Sequence, residues 1–123
     1  MRVRAATVVE RDGPVIVDDL DLAGPADGQV LVRVVASGVC HSDLSAISGQ
    51  IPMPPPMVLG HEAAGVVEDV GAGVTTVQPG DTVMLAFITA CGRCRYCTVG
   101  KPSLCRPHWR TARGCLVDGT FPL

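Results

Sequence analysis

Cys91, Cys94, Cys97 and Cys105 form a C-x2-C-x2-C-x7-C run. Four thiolates at that spacing suit one tetrahedral zinc ion, in a closed site with no coordination position left for chemistry. Gly92, Gly100 and Pro102 supply the turns that let neighbouring sulfurs fold back onto one ion. Residues 91–105 therefore read as a metal-stapled lobe, and the reactive residues must be sought elsewhere.

Two further clusters carry reactive side chains: Gly38-Val39-Cys40-His41-Ser42-Asp43 and Gly60-His61-Glu62-Ala63-Ala64-Gly65. A Cys40 thiolate and a His61 imidazole are good zinc ligands. Glu62 adds a carboxylate beside them, and Asp43 could orient the imidazole from behind. Taken singly, each cluster has a plainer meaning. A lone cysteine after Gly-Val is more often a small buried hydrophobe, and a His-Glu pair is more often structural.

The elements that must position these residues are mostly short strands. Val3 to Val9 and Val15 to Asp18 flank the turn Asp12-Gly13-Pro14 and predict a hairpin. Val30 to Ala36 predicts a strand that is mostly buried, since Arg33 is its only charge. His41 to Ser48 predicts one or two helical turns capped by Ser42. The prolines of Ile51 to Pro56 predict a stiff extended loop, and Ile51 to Leu59 reads equally as a pocket wall or a surface loop. Ala63 to Val70, interrupted at Gly65, and Thr82 to Ile88 predict two more strands. Gly65 and Gly71 suit bulges or tight corners. The fold class is mainly β, a small barrel or sandwich.

Composition bounds the partners. A chain of 123 residues, 47% hydrophobic, supports one soluble domain. Only four residues are aromatic (two Phe, one Trp, one Tyr), so the core must be aliphatic. A net charge of −2 without a basic run argues against nucleic acid or an anionic membrane as partner. No apolar run approaches the ~20 residues that span a bilayer, and the N-terminus lacks the pattern of a signal peptide. Six cysteines in such a chain read as reduced thiols and metal ligands, and the expected location is cytoplasmic.

Taken together and in order, Cys40-His41-Ser42-Asp43, then Gly60-His61-Glu62 with Gly65, Gly71 and Val74, then the four-cysteine lobe resemble the zinc-dependent alcohol dehydrogenases of the medium-chain dehydrogenase/reductase family. The resemblance runs over nearly the whole chain. It implies that residues 1–123 are part of a GroES-like barrel, incomplete, with the zinc lobe at 91–105. It implies two zinc ions. Cys91, Cys94, Cys97 and Cys105 match the structural ligands; Cys40 and His61 match catalytic ones. Glu62 matches an acidic neighbour that can approach the metal. Ser42 matches the hydroxyl that passes the substrate proton outward, and Asp43 the carboxylate behind the histidine. His41 matches a position that often reaches the cofactor pyrophosphate. The implied reaction moves a hydride from an alcohol to NAD or NADP, giving an aldehyde or ketone. A homo-oligomer is implied at full length.

Three departures qualify the match. The third protein ligand of the catalytic zinc would lie beyond residue 123; Cys115 has no motif around it, and Glu62 could complete the site instead. No Rossmann domain is present: Gly71-Ala72-Gly73-Val74-Thr75-Thr76 lacks the third glycine of a dinucleotide turn. Ser45 stands where many relatives place a relay histidine. The expectation is thus a catalytic domain inactive alone. The alternatives are a non-enzymatic zinc module, or the same domain from a polyol or thiol-dependent formaldehyde dehydrogenase. A zinc-free quinone reductase would be expected to lack Cys40 and the lobe. A nucleic-acid-binding zinc module has Arg93, Arg95, Lys101 and Arg106 but little aromatic support beyond Tyr96.

Overall fold

The computed structural model describes residues 1–87 and 90–106. Two antiparallel three-stranded sheets carry the chain. The first holds β1 (Arg2–Val8), β2 (Ile16–Asp21) and the two-residue β4 (Met57–Val58), in the order β2-β1-β4. The second holds β3 (Val30–Ser37), β5 (Ala63–Val70) and β6 (Thr82–Met84), in the order β3-β5-β6. Helix α1 (His41–Ile47) follows β3; a single turn α2 (Arg95–Thr98) and a 3-10 turn at Pro102–Leu104 lie in the cysteine lobe. Both sheets are open among the described residues.

The hairpin forms as the β-branched runs require, with Arg2 opposite Asp21 and Thr7 opposite Ile16. β4 was not foreseen. Its two residues pair with Thr7 and Val8 at the end of the proline-rich loop, where the chain regains free N–H groups. The stretch 51–59 is not a bare surface loop. Met57 is 7% exposed, and Met53 and Leu59 pack with it against a small core of Val8 and Ala46. Ala46 is the one buried residue of α1, so this contact seats the helix on the first sheet. A seven-residue helix is marginal alone, and a second anchor comes from the hairpin turn. The Asp12 amide donates to the Ile47 carbonyl at 3.1 Å, and the Arg11 guanidinium packs against Gly49 at the helix C-terminus, where cationic charge is favoured.

β3 departs from expectation. It is an edge strand; Leu31 and Val32 are half-buried, but the consecutive residues Val34 and Val35 are 53% and 66% exposed. An apolar run reports what a strand can bury, not what lies against it. Gly65 does not break β5. It sits opposite Val34, where the β3–β5 register shifts between Val34 and Ala36, and a side chain there would collide with the Arg33 carbonyl. The strand expected over 82–88 is regular only to Met84; position 88 lies outside the described residues.

Gly71 is the tightest position. A Cβ there would run into the Ala26 carbonyl, because the 26–29 loop closes onto the 71–72 turn through Gly28 N–H to Ala72 O at 2.8 Å and Gly71 N–H to Gln29 O at 2.9 Å. Backbone cannot yield cheaply. Gly71→Ala should therefore lower unfolding free energy by about 1–3 kcal/mol in denaturant titration. Gly24→Ala, with nothing within 4 Å of the added methyl, should change it by less than about 0.5 kcal/mol. Equal effects would contradict this packing.

Candidate functional site

Cys40 is the N-cap of α1, in extended backbone just past the end of β3. The cap is not Ser42, as the sequence suggested. Asp43, at the third helical position, accepts the Cys40 amide on Oδ2 at 3.0 Å, the reciprocal bond of a capping box. Shifting the cap by two residues places Cys40 at the mouth of the helix and Ser42 inside its first turn.

His61 and Glu62 lie in the loop between β4 and β5. Gly60, at φ +106°, makes the turn that brings them over α1. The Gly60 amide donates to Asp43 Oδ1 at 3.3 Å, and His61 Nδ1 lies 3.2 Å from the same oxygen. Asp43 is 13% exposed at its side chain and thus serves Cys40, Gly60 and His61 at once. Its hold on Nδ1 assigns the proton there and leaves Nε2 as the imidazole donor.

Donor atoms of Cys40, His61 and Glu62 lie within 4.8 Å of one another. The Cys40 thiol is pulled below its ordinary pKa, first by the Ser42 amide, then by the Ser42 hydroxyl and by His61; burial and the Glu62 charge oppose this. His61 is raised, chiefly by its hydrogen bond with Cys40 and, against the cost of burial, by the Asp43 charge. Ser42 Oγ is 3.6 Å from Cys40 Sγ. These groups face a cleft of about 710 Å³ between the ends of β3, β5 and β6. Its far wall is apolar, built from Ala36, Ala64, Met84, Leu85 and Phe87. The Phe87 ring meets His61 edge-on at 5.0 Å. The sequence reading missed this wall: residues 84–87 looked only like the end of a strand. His41 opens α1 and is exposed, with Nδ1 3.5 Å from Ser45 Oγ.

The four-cysteine lobe forms a second cluster. The sulfurs of Cys91, Cys94, Cys97 and Cys105 lie within 4.8 Å of one another. Thiolates about 2.3 Å from a tetrahedral zinc stand roughly 3.8 Å apart, and Cys94 and Cys97 share a hydrogen bond at 3.6 Å. The donor set therefore fits zinc. Gly92 and Gly100, at φ +72° and +76°, make the turns. Cys105 is fully buried, and its sulfur accepts the Cys91 amide at 3.3 Å. The Cys94 thiol is brought down to about 6, first by the Cys97 amide and then by that of Arg106; burial, then the bond with Cys94, pushes Cys97 up to about 11. Cys115 lies outside the described residues.

Residues 26–122 match the family model described as the alcohol dehydrogenase GroES-like domain. This chain belongs to that family. A Mycobacterium tuberculosis relative named as an alcohol dehydrogenase is 48% identical over 121 residues, covering 98% of this chain and 33% of its own length. The NDMA-dependent alcohol dehydrogenase of Amycolatopsis methanolica is 45% identical with the same coverage. Among solved structures, the alcohol dehydrogenase zinc-binding domain protein of Burkholderia ambifaria superposes with a TM-score of 0.91 at 40% identity, over 99% of this chain and 33% of that one. Benzyl alcohol dehydrogenase of Acinetobacter calcoaceticus gives 0.89 at 35%, over 99% and 34%. The chain spans about a third of the length of the relatives it matches. No described helix is long and apolar enough to cross a membrane.

Asp43→Asn replaces one acceptor oxygen with a donor, so one of the three N–H groups now faces another donor. Zinc affinity at Cys40–His61 should fall about 10- to 100-fold in chelator competition, while binding by the cysteine lobe stays unchanged. Equal loss at both sites, or at neither, would contradict the role assigned to this carboxylate.

Proposed function

We propose that this GroES-like domain supplies the metal- and substrate-binding side of a zinc-dependent alcohol dehydrogenase that oxidises alcohols to aldehydes or ketones with NAD or NADP. The observation that carries the proposal is the meeting of Cys40, His61 and Ser42 in one cleft, with Asp43 behind the imidazole. Cys40 and His61 would hold a catalytic zinc with Glu62 as third donor, and the cysteine lobe would hold a structural one. Bound in the cleft, zinc would supply Lewis acidity, easing loss of an alcohol proton and, in reverse, polarising a carbonyl.

The residues present divide the remaining work. A substrate hydroxyl set against Cys40 and His61 would lie beside Ser42. Ser42 Oγ takes the hydroxyl proton and passes its own outward, since a serine cannot store a second proton at neutral pH. A bound nicotinamide would supply the hydride acceptor, so that one proton and one hydride would leave the alcohol and a carbonyl would remain. Met84, Leu85 and Phe87 would take the hydrocarbon part of the substrate and exclude water. Asp43 keeps Nδ1 protonated, so that Nε2 stays directed at the reacting centre. His41, at the exposed start of α1, would meet the cofactor phosphates. Ser45 stands at the position of the relay histidine, and so the proton route beyond Ser42 would run to water.

A second reading rests on one contrast. All four ligands of the lobe lie within this chain, whereas the cleft cluster musters three donors. On that reading the chain alone is a zinc-binding module without turnover.

A chimera separates the readings. Joined to the remaining two thirds of the Burkholderia ambifaria relative, this domain should support alcohol-dependent NAD(P)H formation, while the chain alone should support none. Ser42→Ala in the chimera should cut turnover at least about 100-fold with zinc content intact. A folded, zinc-replete chimera that oxidises no alcohol, or one indifferent to Ser42→Ala, would contradict the proposal.

A further inference from the structure

Gly38 stands two residues before Cys40, and the space its missing side chain leaves is filled by Glu62. The Gly38 amide donates to the Glu62 carbonyl at 2.7 Å, which pins the two loops together. A methyl built on Gly38 would lie 2.5 Å from Glu62 Oε2, 3.2 Å from its Cβ and 3.5 Å from its Cδ. The carboxylate is therefore folded back over the Gly38 backbone. From there it also keeps an oxygen within 4.8 Å of the Cys40 sulfur and a His61 ring nitrogen.

The glycine is not required by the backbone. Gly38 is absent from the glycines of positive φ, such as Gly60 at +106° and Gly49 at +77°, so an L-residue could adopt its conformation. Nor does a polar contact hold the carboxylate: among the described residues, no hydrogen bond or ion pair reaches it. The Glu62 charge also opposes ionisation of the Cys40 thiol. Glu62 is exposed. An unheld glutamate at the surface, repelled by a neighbouring thiolate, gains rotamer freedom and hydration by swinging into water. Among the described residues, what accommodates the folded-back carboxylate is the notch at Gly38.

We propose that Gly38 is a positioning residue: the notch left by its missing side chain seats the Glu62 carboxylate beside Cys40 and His61 as the third metal donor. The inference rests on reading that cluster as a metal site. Filling the notch should be borne by the fold, because the nearest atom is the far end of a flexible side chain and only the 3.2 Å approach to Glu62 Cβ is tight. The carboxylate, not the backbone, should move.

Four variants of the full chain test this: Gly38→Ala, Glu62→Ala, the double variant, and Cys40→Ala. The reading is the dissociation constant of the second zinc equivalent in competition with a chromophoric chelator. Urea titration of each apo variant reports that the sheets and α1 are folded, and the first equivalent, held by the cysteine lobe, is the internal reference for zinc binding. Gly38→Ala should weaken the second site roughly tenfold, the low end for partners that orient a ligand. Glu62→Ala should weaken it at least as much, and the double variant should be no weaker than Glu62→Ala. An unchanged constant in Gly38→Ala overturns the proposal. So does a Gly38→Ala loss that persists in full without Glu62, since the glycine would then act through the backbone. If Cys40→Ala leaves the second equivalent untouched, the metal-site reading itself falls, and the proposal falls with it.

Discussion

One carboxylate holds the cleft together. Asp43 is largely buried, and burying a charge is costly unless its lone pairs are used. They are used by three N–H groups from two separate loops: the Cys40 amide on Oδ2, the Gly60 amide and the His61 ring on Oδ1. Its place in the first turn of α1 suits a negative charge. The satisfaction of this one group therefore decides where the Cys40 and His61 segments lie. It also decides which imidazole nitrogen is left to bind. A cap, a loop clamp and a tautomer switch are the same interaction seen from three partners.

That interaction depends in turn on packing some distance away. Helix α1 is too short to persist on its own propensity. It is held by Ala46 against Val8 and Met57, and at its far end by the hairpin turn at Arg11 and Asp12. The proline-rich loop has the same purpose from the other side: its last residues become β4 and join the core, and the chain then emerges at Gly60 aimed at Asp43. The cysteine lobe needs little of this. Its turns are set by Gly92 and Gly100 within the run itself, and its sulfurs converge locally.

What could be read from the sequence follows this division. The convergence of the four cysteines was legible because they are close in sequence and their turns are coded by glycine. The hairpin, β5 and an irregularity of pairing next to Gly65 were legible from β-branched runs and punctuation. Cys40, Asp43 and His61 were legible as a set only through their order along the chain; that Asp43 also ties down Gly60 and caps the helix was not, because a capping box normally begins with a hydroxyl or carboxylate rather than a cysteine. The exposure of β3 was misjudged since burial is a property of the neighbours. β4 and the apolar wall at Met84, Leu85 and Phe87 depend on pairings between distant segments, for which a local pattern carries no signal. Membership of the alcohol dehydrogenase GroES-like family agrees with the motif order that suggested it.

On the proposed function, Asp43 holds His61 with Nδ1 protonated and Nε2 turned to a metal shared with Cys40. Long-range proton–nitrogen correlation spectra of the nitrogen-labelled chain, recorded as zinc is added beyond the first equivalent, test it directly. The His61 Nδ1 resonance should keep the character of a protonated nitrogen, while Nε2 should shift to that of a metal-bound one. A His61 ring untouched by the second equivalent, or coordinated through Nδ1, would contradict it.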